Sequence, residues 1–269
     1  MNTKIAIVTG AAGGIGKAIT DEFTKKNITC MLVDINKKAL ASLQKQYGDS
    51  VYSLYCDITD IKSVKSMVNK VVKKFGAIDI LINNAGIIEP NLFENATYKE
   101  IHRQIQVNLM GAINCTYESL PHLKRSKNPS IVTIASLAGI VPETYSSIYT
   151  ATKFALRGLF LTLHIELKKH NIHVATIFPD SVNTPMLQYE ATHGGSPLTF
   201  LSKPQEPENV AKAVVKAIEK KKVEVVVPPS QGFITRFIMA FPRLVVSLWP
   251  LLEKMGDKNK PNIFKSIKS

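Results

Sequence analysis

Short runs of apolar, often β-branched residues alternate along the chain with longer stretches whose apolar positions recur at helical spacing. The runs "KIAIVT" (4–9), "TCMLVD" (29–34), "VYSLYCD" (51–57), "IDILINN" (78–84), "SIVTIAS" (130–136), "HVATIFP" (173–179) and "VEVVVP" (223–228) read as strands. Helices are expected between them at about 15–26, 37–47, 60–75, 98–125, 149–169 and 207–221. A strand that is apolar throughout and is followed by a helix belongs to a parallel sheet covered on both faces. Seven such units, with no repeat or low-complexity linker between them, predict one α/β domain over residues 1–230. Its core would be a Rossmann-like, doubly wound, seven-stranded parallel sheet with helices on both faces. Residues 231–269 are left as an apolar and then basic C-terminal extension.

Composition narrows the class of protein. A chain of 269 residues, 45% hydrophobic and 20% charged, is globular and can bury a sizeable core. Cys30, Cys56 and Cys115 form no CxxC pair, so neither a disulfide framework nor a zinc cluster is expected, and a reducing compartment is. The six histidines have no metal-ligand spacing, and no metal site is expected. The amino terminus "MNTKIAIVTG" lacks the longer apolar core and small-residue cleavage site of a secretory signal, which points to a cytoplasmic protein. The net charge of +13 comes from lysines spread over several expected helices, not from a stripe with a recognition motif. Nucleic-acid binding is therefore not expected, while an anionic membrane or an acidic carrier stays open.

Two stretches carry chemistry. Directly after the first strand, "TGAAGGIG" (Thr9 to Gly16) opens a helix, the context a dinucleotide-binding turn requires. Gly10 would allow the tight turn, Gly14 the approach of a pyrophosphate and Gly16 close helix packing, with helix N–H groups free for phosphates. Asp34 ends the second strand, where a carboxylate can bind a ribose 2′-hydroxyl and repel a 2′-phosphate. No arginine follows it, so NAD is expected over NADP; the plainer alternative is that Asp34 caps the next helix. In "YTATK", Tyr149 and Lys153 stand at i and i+4 on one helix face. At about 5 Å and an effective dielectric near 20, the ammonium would favour the phenolate by roughly 3 kcal/mol, about two pKa units. That would suit a general acid/base, although five residues alone also fit a chance surface pair.

The glycine turn in its G-x-x-x-G-x-G form, "NNAG" (83–86), Ser136, Tyr149 thirteen residues later and Lys153 occur in order over about residues 3–228. Together they resemble the short-chain dehydrogenase/reductase family in its single-domain form. The resemblance implies that Tyr149 transfers the proton and Ser136 holds the substrate oxygen. Lys153 would lower the Tyr149 pKa and hold the nicotinamide ribose, and Asn108 in "IQVNLMG" would hold a water in the proton relay. For the cofactor it implies Gly10, Gly14, Ile15 and Gly16 at the turn, Asp34 at the ribose, and Asp57 with Ile58 at the adenine. Asn84, Ala85 and Gly86 would support the central strand and cofactor, with Tyr149 and Lys153 at the ribose and Thr184 at the carboxamide. One departure is Pro179-Asp180, where the family usually has Pro-Gly; this puts the local backbone in question. A homodimer or homotetramer built on the helices at 98–125 and 149–169 is implied as well.

The remaining segments bear on the substrate. Residues 185–208 read as a loop with paired glycines. In the family this region usually forms a lid, and Met186, Leu187, Tyr189, Leu198, Phe200 and Leu201 would suit a hydrophobic substrate or simply pack on the core. In "GFITRFIMAFPRLVVSLWPLL" (232–252), Phe233, Phe237, Phe241, Val245, Leu248 and Leu252 fall at helical spacing, with Arg236 and Arg243 among them. The arginines, Pro242 and Pro250 disfavour a spanning helix. A membrane-surface helix followed by Lys254, Lys258, Lys260, Lys265 and Lys268 competes with a lid or a subunit interface. The expected activity is NAD(H)-dependent interconversion of a hydrophobic secondary alcohol and its ketone, steroid-like, retinoid-like or long-chain acyl. The alternatives are a 3-oxoacyl-carrier reductase and a non-catalytic dinucleotide-sensing or scaffold protein.

Overall fold

The computed structural model describes residues 3–268. The side chains of Ile234, Pro242, Leu244, Val245 and residues 265–268 lie outside the described set, and with them the expected apolar contact of Val245 and the basic heads of Lys265 and Lys268. In chain order the elements are β1 (Ile5–Thr9), α1 (Gly14–Thr24), β2 (Thr29–Asp34), α2 (Lys37–Tyr47), β3 (Val51–Tyr55), α3 (Ile61–Phe75), β4 (Ile80–Asn83), α4 (Tyr98–Ile105), α5 (Gly111–Leu123), β5 (Ser130–Ile134), α6 (Ser147–Leu167), β6 (His173–Pro179), α7 (Pro185–Thr192), α8 (Pro207–Glu219), β7 (Glu224–Val227), α9 (Pro229–Met239) and α10 (Pro242–Lys268). Among the described residues the seven strands form one parallel sheet in the order β3-β2-β1-β4-β5-β6-β7. This is the doubly wound architecture expected from the run of apolar strands.

Strand β1 lies near the middle of the sheet, and Ala6, Ile7 and Val8 are wholly buried. Alternate side chains feed two apolar layers. Ala6 and Val8 join Ile19, Phe23, Val210 and Val214 on one face. Ile7 joins Val64, Val68, Cys115 and Phe160 on the other. Each layer holds side chains worth about 1.5–3 kcal/mol apiece when buried, so neither face could be left to water. The order of winding reverses between β1 and β4. Open α/β sheets bind ligands in the crevice beyond the strand ends at such a point.

The structure sharpens several boundaries. Strands β3, β4 and β5 stop earlier than the apolar runs suggested, so Asp57, Asn84 and Ser136 fall in the loops just past their C-terminal ends. The single helix expected over 98–125 is divided. A Thr97–Glu100 capping box starts α4, a π-helical turn occupies Gln106–Met110, and α5 resumes at Gly111. Such turns insert one residue into the helical register and are frequent at functional sites; here the turn carries Asn108, which is fully buried. The segment expected as a loop at 185–208 contains α7, begun by Pro185 in the first helical turn, where its missing N–H costs nothing.

The C-terminal extension is also two helices. Ala240 and Phe241 break it, and α10 begins at Pro242. Helix α10 folds back over the 185–201 region. Gly256 sits so close to the turn at Pro197 that a Cβ there would stand 1.9 Å from the Pro197 carbonyl oxygen. Ile263 packs with Leu187 and Phe200. Asn259 donates a hydrogen bond to the Leu201 carbonyl, and Thr144 donates one to Glu253 at 2.6 Å. Among the described residues no helix is long and apolar enough to cross a membrane.

Candidate active site

The glycine turn is built by contacts on both sides. Gly10 has φ +62°, and a Cβ there would stand 2.7 Å from Ala85 Cα, so only glycine fits. Asn84 fixes this approach: its Nδ2 donates to the carbonyls of Thr9 (2.9 Å) and Gly10 (3.0 Å), and its own N–H donates to Thr9 Oγ1 (3.0 Å). Gly16 lets α1 pass the Gly10 carbonyl, where a Cβ would come within 2.4 Å. Gly14 faces Thr184 instead of open space: a Cβ would stand 2.8 Å from Thr184 Cγ2. The turn and Thr184, far apart in sequence, therefore meet.

Asp34 does not cap α2; the Asn36 side chain does, by accepting the Ala39 N–H. The Asp34 carboxylate instead accepts the N–H groups of Ala12 (3.0 Å) and Asn36 (2.9 Å), which holds it at the edge of the glycine turn. A cavity of about 1070 Å³ opens here, lined among others by Gly10, Asp34, Asp57, Ile58, Ala85 and Gly86. Asp57 is turned back on its own loop, accepting from the N–H and hydroxyl of Thr59. Ile58 is pinned by Gly111, whose missing Cβ would lie 2.4 Å from Ile58 Cδ1. The cleft holds an anchored acid, and Gly10 and Gly86 in its wall admit a backbone-hugging ligand.

Gly86 joins this cleft to a second cavity of about 360 Å³. A Cβ on Gly86 would stand 3.4 Å from Asn108 Oδ1 and 3.6 Å from Lys153 Nζ, so the two side chains converge on it. Asn108 is held by the Ile87 backbone, accepting its N–H (2.8 Å) and donating to its carbonyl (2.9 Å). Helix α6 brings Tyr149 and Lys153 in on its first two turns. Lys153 Nζ donates to the Ile134 carbonyl (3.1 Å) and lies 5.3 Å from the centre of the Tyr149 ring. Ser136 follows β5; its Oγ accepts the Ala138 N–H (3.1 Å). Ser136, Tyr149 and Lys153 all line the second cavity, together with Ile15 and Thr184.

The electrostatics differ from the sequence expectation in one respect. Burial, reinforced by Glu143 and Glu190, holds the Tyr149 phenol above its ordinary range, with the Ser136 hydroxyl acting the other way. Burial likewise pushes the Lys153 ammonium down to about 8. Both groups sit in a low-dielectric wall that disfavours their charged forms, and this outweighs the attraction expected from the i, i+4 spacing. Asp180, which stands where glycine was expected, keeps φ out of the left-handed region. Its carboxylate accepts from the Ser181 N–H (2.8 Å) and the Ser202 hydroxyl (2.9 Å), so the backbone tolerates the side chain.

Sequence reasoning missed three elements of this site. Thr9 supports the Asn84–Ala85 turn through its hydroxyl, which also donates to the Ile82 carbonyl; its position directly before Gly10 was the available signal. Glu143 and Glu190 line the second cavity although nothing in their local sequence marks them. The paired glycines do have an explanation: the chain at Gly194–Gly195 wraps Glu190, where a Cβ on Gly195 would stand 2.0 Å from Glu190 Cγ. The carboxylate accepts from Thr199 Oγ1 at 2.6 Å.

Known proteins resemble this chain in sequence and fold. Residues 4–194 match the short chain dehydrogenase family. A 3-oxoacyl-[acyl-carrier-protein] reductase of Thermotoga maritima is 35% identical over 212 residues, covering 76% of this chain and 86% of its own. An 11-beta-hydroxysteroid dehydrogenase-like protein of Arabidopsis thaliana is 31% identical over 232 residues, covering 84% and 73%. The crystal structure of a 3-ketoacyl-(acyl-carrier-protein) reductase from Brucella melitensis complexed with NADH aligns with TM-score 0.76 at 26% identity, covering 83% of this chain and 96% of that one. A short chain dehydrogenase/reductase from Burkholderia phymatum in complex with NAD aligns with TM-score 0.80 at 21% identity over 90% and 95%, a likeness of fold alone. The chain belongs to the short chain dehydrogenase family of oxidoreductases that act on CH–OH groups.

Proposed function

We propose that the protein interconverts a hydrophobic secondary alcohol and its ketone with NAD(H), with Tyr149 as general acid/base. The observation that carries this reading is the meeting of the two cavities at Gly86, beside Ser136, Tyr149 and Lys153. The larger cleft fits a dinucleotide: Gly10 and Gly86 present no side chain to it, and the anchored Asp34 carboxylate on its wall would meet a ribose. When bound, the nicotinamide supplies or accepts the hydride. The chain's own groups do the rest. Ser136 positions the substrate oxygen, and Tyr149 gives its phenol proton to that oxygen in reduction or takes it back in oxidation. Lys153 orients the cofactor ribose from the floor of the site, and Asn108 fixes the Ile87 backbone beside it. Asp57, Ile58, Asn84, Ala85 and Thr184 complete the cofactor walls. A phenol held protonated favours reduction near neutral pH, and oxidation should gain as pH rises.

NAD is favoured over NADP because the Asp34 carboxylate would face a 2′-phosphate, and Arg103, across the cleft, is engaged with Glu89 at 3.1 Å. The substrate wall is mainly aliphatic and aromatic, which supports a hydrophobic substrate. The Thermotoga relative favours a second reading, reduction of a carrier-bound 3-oxoacyl group, which the net charge of +13 would also suit. Residues 1–230 act in this reading as the catalytic domain, with 231–269 as a cover. A homodimer or homotetramer is supported by exposed apolar side chains on α4, α5 and α6, among them Tyr98, Tyr117, Phe154 and Ile165. For a cytoplasmic protein, peripheral membrane contact is supported by Phe233, Phe237 and Phe241, which stand exposed on α9 and the turn after it, next to exposed Arg243, while Arg236 pairs with Glu224 at 2.9 Å. Flotation with anionic vesicles, with and without residues 230–269, tests that contact.

The decisive experiment is Tyr149→Phe assayed against a panel of ketones and carrier thioesters with both cofactors. Turnover should fall by about 10²–10⁴-fold while NADH binding, followed by fluorescence, changes little. Unchanged turnover would refute the assignment.

A further inference from the structure

The smaller cavity is apolar over most of its wall, yet it contains three carboxylic acids, Glu143, Asp180 and Glu190, against one ammonium, Lys153. Two of the acids are accounted for locally. Asp180 accepts from Ser181 and Ser202, and Glu190 accepts from Thr199. Glu143 is different. It lies on the loop between Ser136 and Tyr149, half-buried along the cavity wall and shielded from bulk solvent. Its carboxyl has no hydrogen-bond or ion-pair partner among the described residues. A shielded carboxyl with no partner costs stability and is retained only where something offsets it. Two further side chains of the same wall carry a buried polar atom without a partner, Trp249 at Nε1 and Ser181 at Oγ. The hydrogen bond from Thr144 to Glu253 ties the Glu143 loop to α10, the helix that carries Trp249. The wall therefore offers an acceptor-bearing carboxyl, an N–H donor and a hydroxyl, none of them used by the protein.

We infer that Glu143 is a specificity-determining residue that receives a second hydroxyl of the substrate, so that the cavity takes an apolar hydroxy-ketone, or the matching diol, and rejects carboxylate-bearing analogues. The chemistry of the wall selects the hydroxyl. A hydroxyl is neutral, donates to a carboxyl oxygen and accepts from an N–H, and it can pair with the Ser181 hydroxyl in either sense, so it matches every function left open here. A carboxylate would add a fourth acid to a confined site that already holds three. An ammonium would satisfy the acids but must itself be stripped of water and leaves the Trp249 N–H unmatched. Burial together with Glu190 and Asp180 raises Glu143 to about 8, so near neutral pH it meets a ligand chiefly as the uncharged acid. This again suits a hydroxyl better than a cation. The inference rests on the redox reading only for which end of the cavity reacts.

The test does not need turnover. Trp249 is the single tryptophan of the chain, so its fluorescence reports occupancy of this cavity. Methyl ketones of four to eight carbons, each ending in methyl, hydroxyl, ammonium or carboxylate, are titrated into the full-length protein, the Glu143→Gln variant and the Glu143→Leu variant. The hydroxyl-ended ketone of the best-fitting length should bind about tenfold more tightly than its methyl and carboxylate counterparts, and Glu143→Leu should remove that advantage. Glu143→Gln keeps the shape and an acceptor oxygen. It should retain part of the preference, which also covers the case in which the leucine variant fails to fold. Equal binding of hydroxyl and methyl ends, tighter binding of the ammonium or carboxylate end, a hydroxyl preference that survives in Glu143→Leu, or no saturable binding of any hydroxyl-ended ketone would each overturn the inference. Loss of activity in Tyr149→Phe has no bearing on these affinities, so the two readings fail separately.

Discussion

The two cavities that meet at Gly86 are built on opposite principles. Along the larger cleft, the two acids of the wall are tied to neighbouring backbone, Asp34 to Ala12 and Asn36, and Asp57 to Thr59. The smaller cavity is closed by segments far apart in sequence, and it keeps an unpaired carboxyl, an unpaired indole N–H and acids raised by burial. A satisfied wall gives a fixed shape suited to a ligand that never changes. An unsatisfied wall stores demand for particular groups on a ligand. The first should break when its geometry is disturbed, the second when its chemistry is.

The largest effect is expected from Gly10→Ala. The methyl would meet Ala85 Cα at 2.7 Å while forcing alanine into a positive-φ conformation. Strain and overpacking together should cost about 3 kcal/mol. A melting curve should fall by roughly 6–12 °C for a domain of this size. Dinucleotide binding should be lost even at temperatures where the variant stays folded. A variant that melts and binds like the parent would show that the turn relaxes more readily than the packing suggests.

This half of the molecule was also the legible half. The alternation of apolar runs and helical stretches gave the sheet, and the glycine spacing, Asp34 and Asn84 act within one or two elements of their own position. The substrate half was not legible for a physical reason. Glu143 and Glu190 are shifted by burial in a wall assembled from β5, α7 and α10, and no local pattern records what a distant helix will cover. The division of the helix at Asn108 was missed because a π turn changes the register by one residue without altering the apolar periodicity on either side. The C-terminal helices were visible as apolar spacing, but the break at Ala240–Phe241 decides which side chains face the cavity. It leaves Thr235, Ile238, Trp249 and Leu252 lining the site while Phe233 and Phe237 stay outside.

A smaller effect confined to the cleft should follow from Asp34→Ala. Removing the carboxylate frees the Ala12 and Asn36 N–H groups and relieves repulsion of a 2′-phosphate. The ratio of affinities for NADH and NADPH should move by about 10–100-fold towards NADPH, as expected for one or two charge-assisted hydrogen bonds. Fluorescence titration with both dinucleotides measures this, and an unchanged ratio would mean that the acid does not read the ribose. Its counterpart in the other half is Gly256→Val, which wedges α10 off the Pro197 turn. Overpacking there should cost about 1–2 kcal/mol. Ketone KM should rise while dinucleotide affinity holds, because α10 borders only the smaller cavity.

The smallest effect isolates the chemistry of the smaller cavity from its shape. Glu143 is raised from 4.5 to about 8, chiefly by burial and then by Glu190 and Asp180. Between those values the unfolded chain has released the proton while the folded chain keeps it. Glu143 therefore lowers stability progressively as pH rises from about 5 to 8, and its cost is constant above that range. Glu190, raised to about 7 with Lys260 acting against the rise, and Asp180 contribute in the same direction. Lys153, lowered to about 8, acts mainly between 8 and its ordinary 10.5, where its contribution increases stability with pH; Tyr149 titrates above the window. The difference between parent and Glu143→Gln removes these shared contributions. The variant should match the parent near pH 5 and exceed it by about 1 kcal/mol at pH 8.5, or roughly 2–4 °C in a melting curve. A constant offset across that range would mean that the carboxyl finds water or a partner when it ionises, and the wall would then be no more demanding than the cleft.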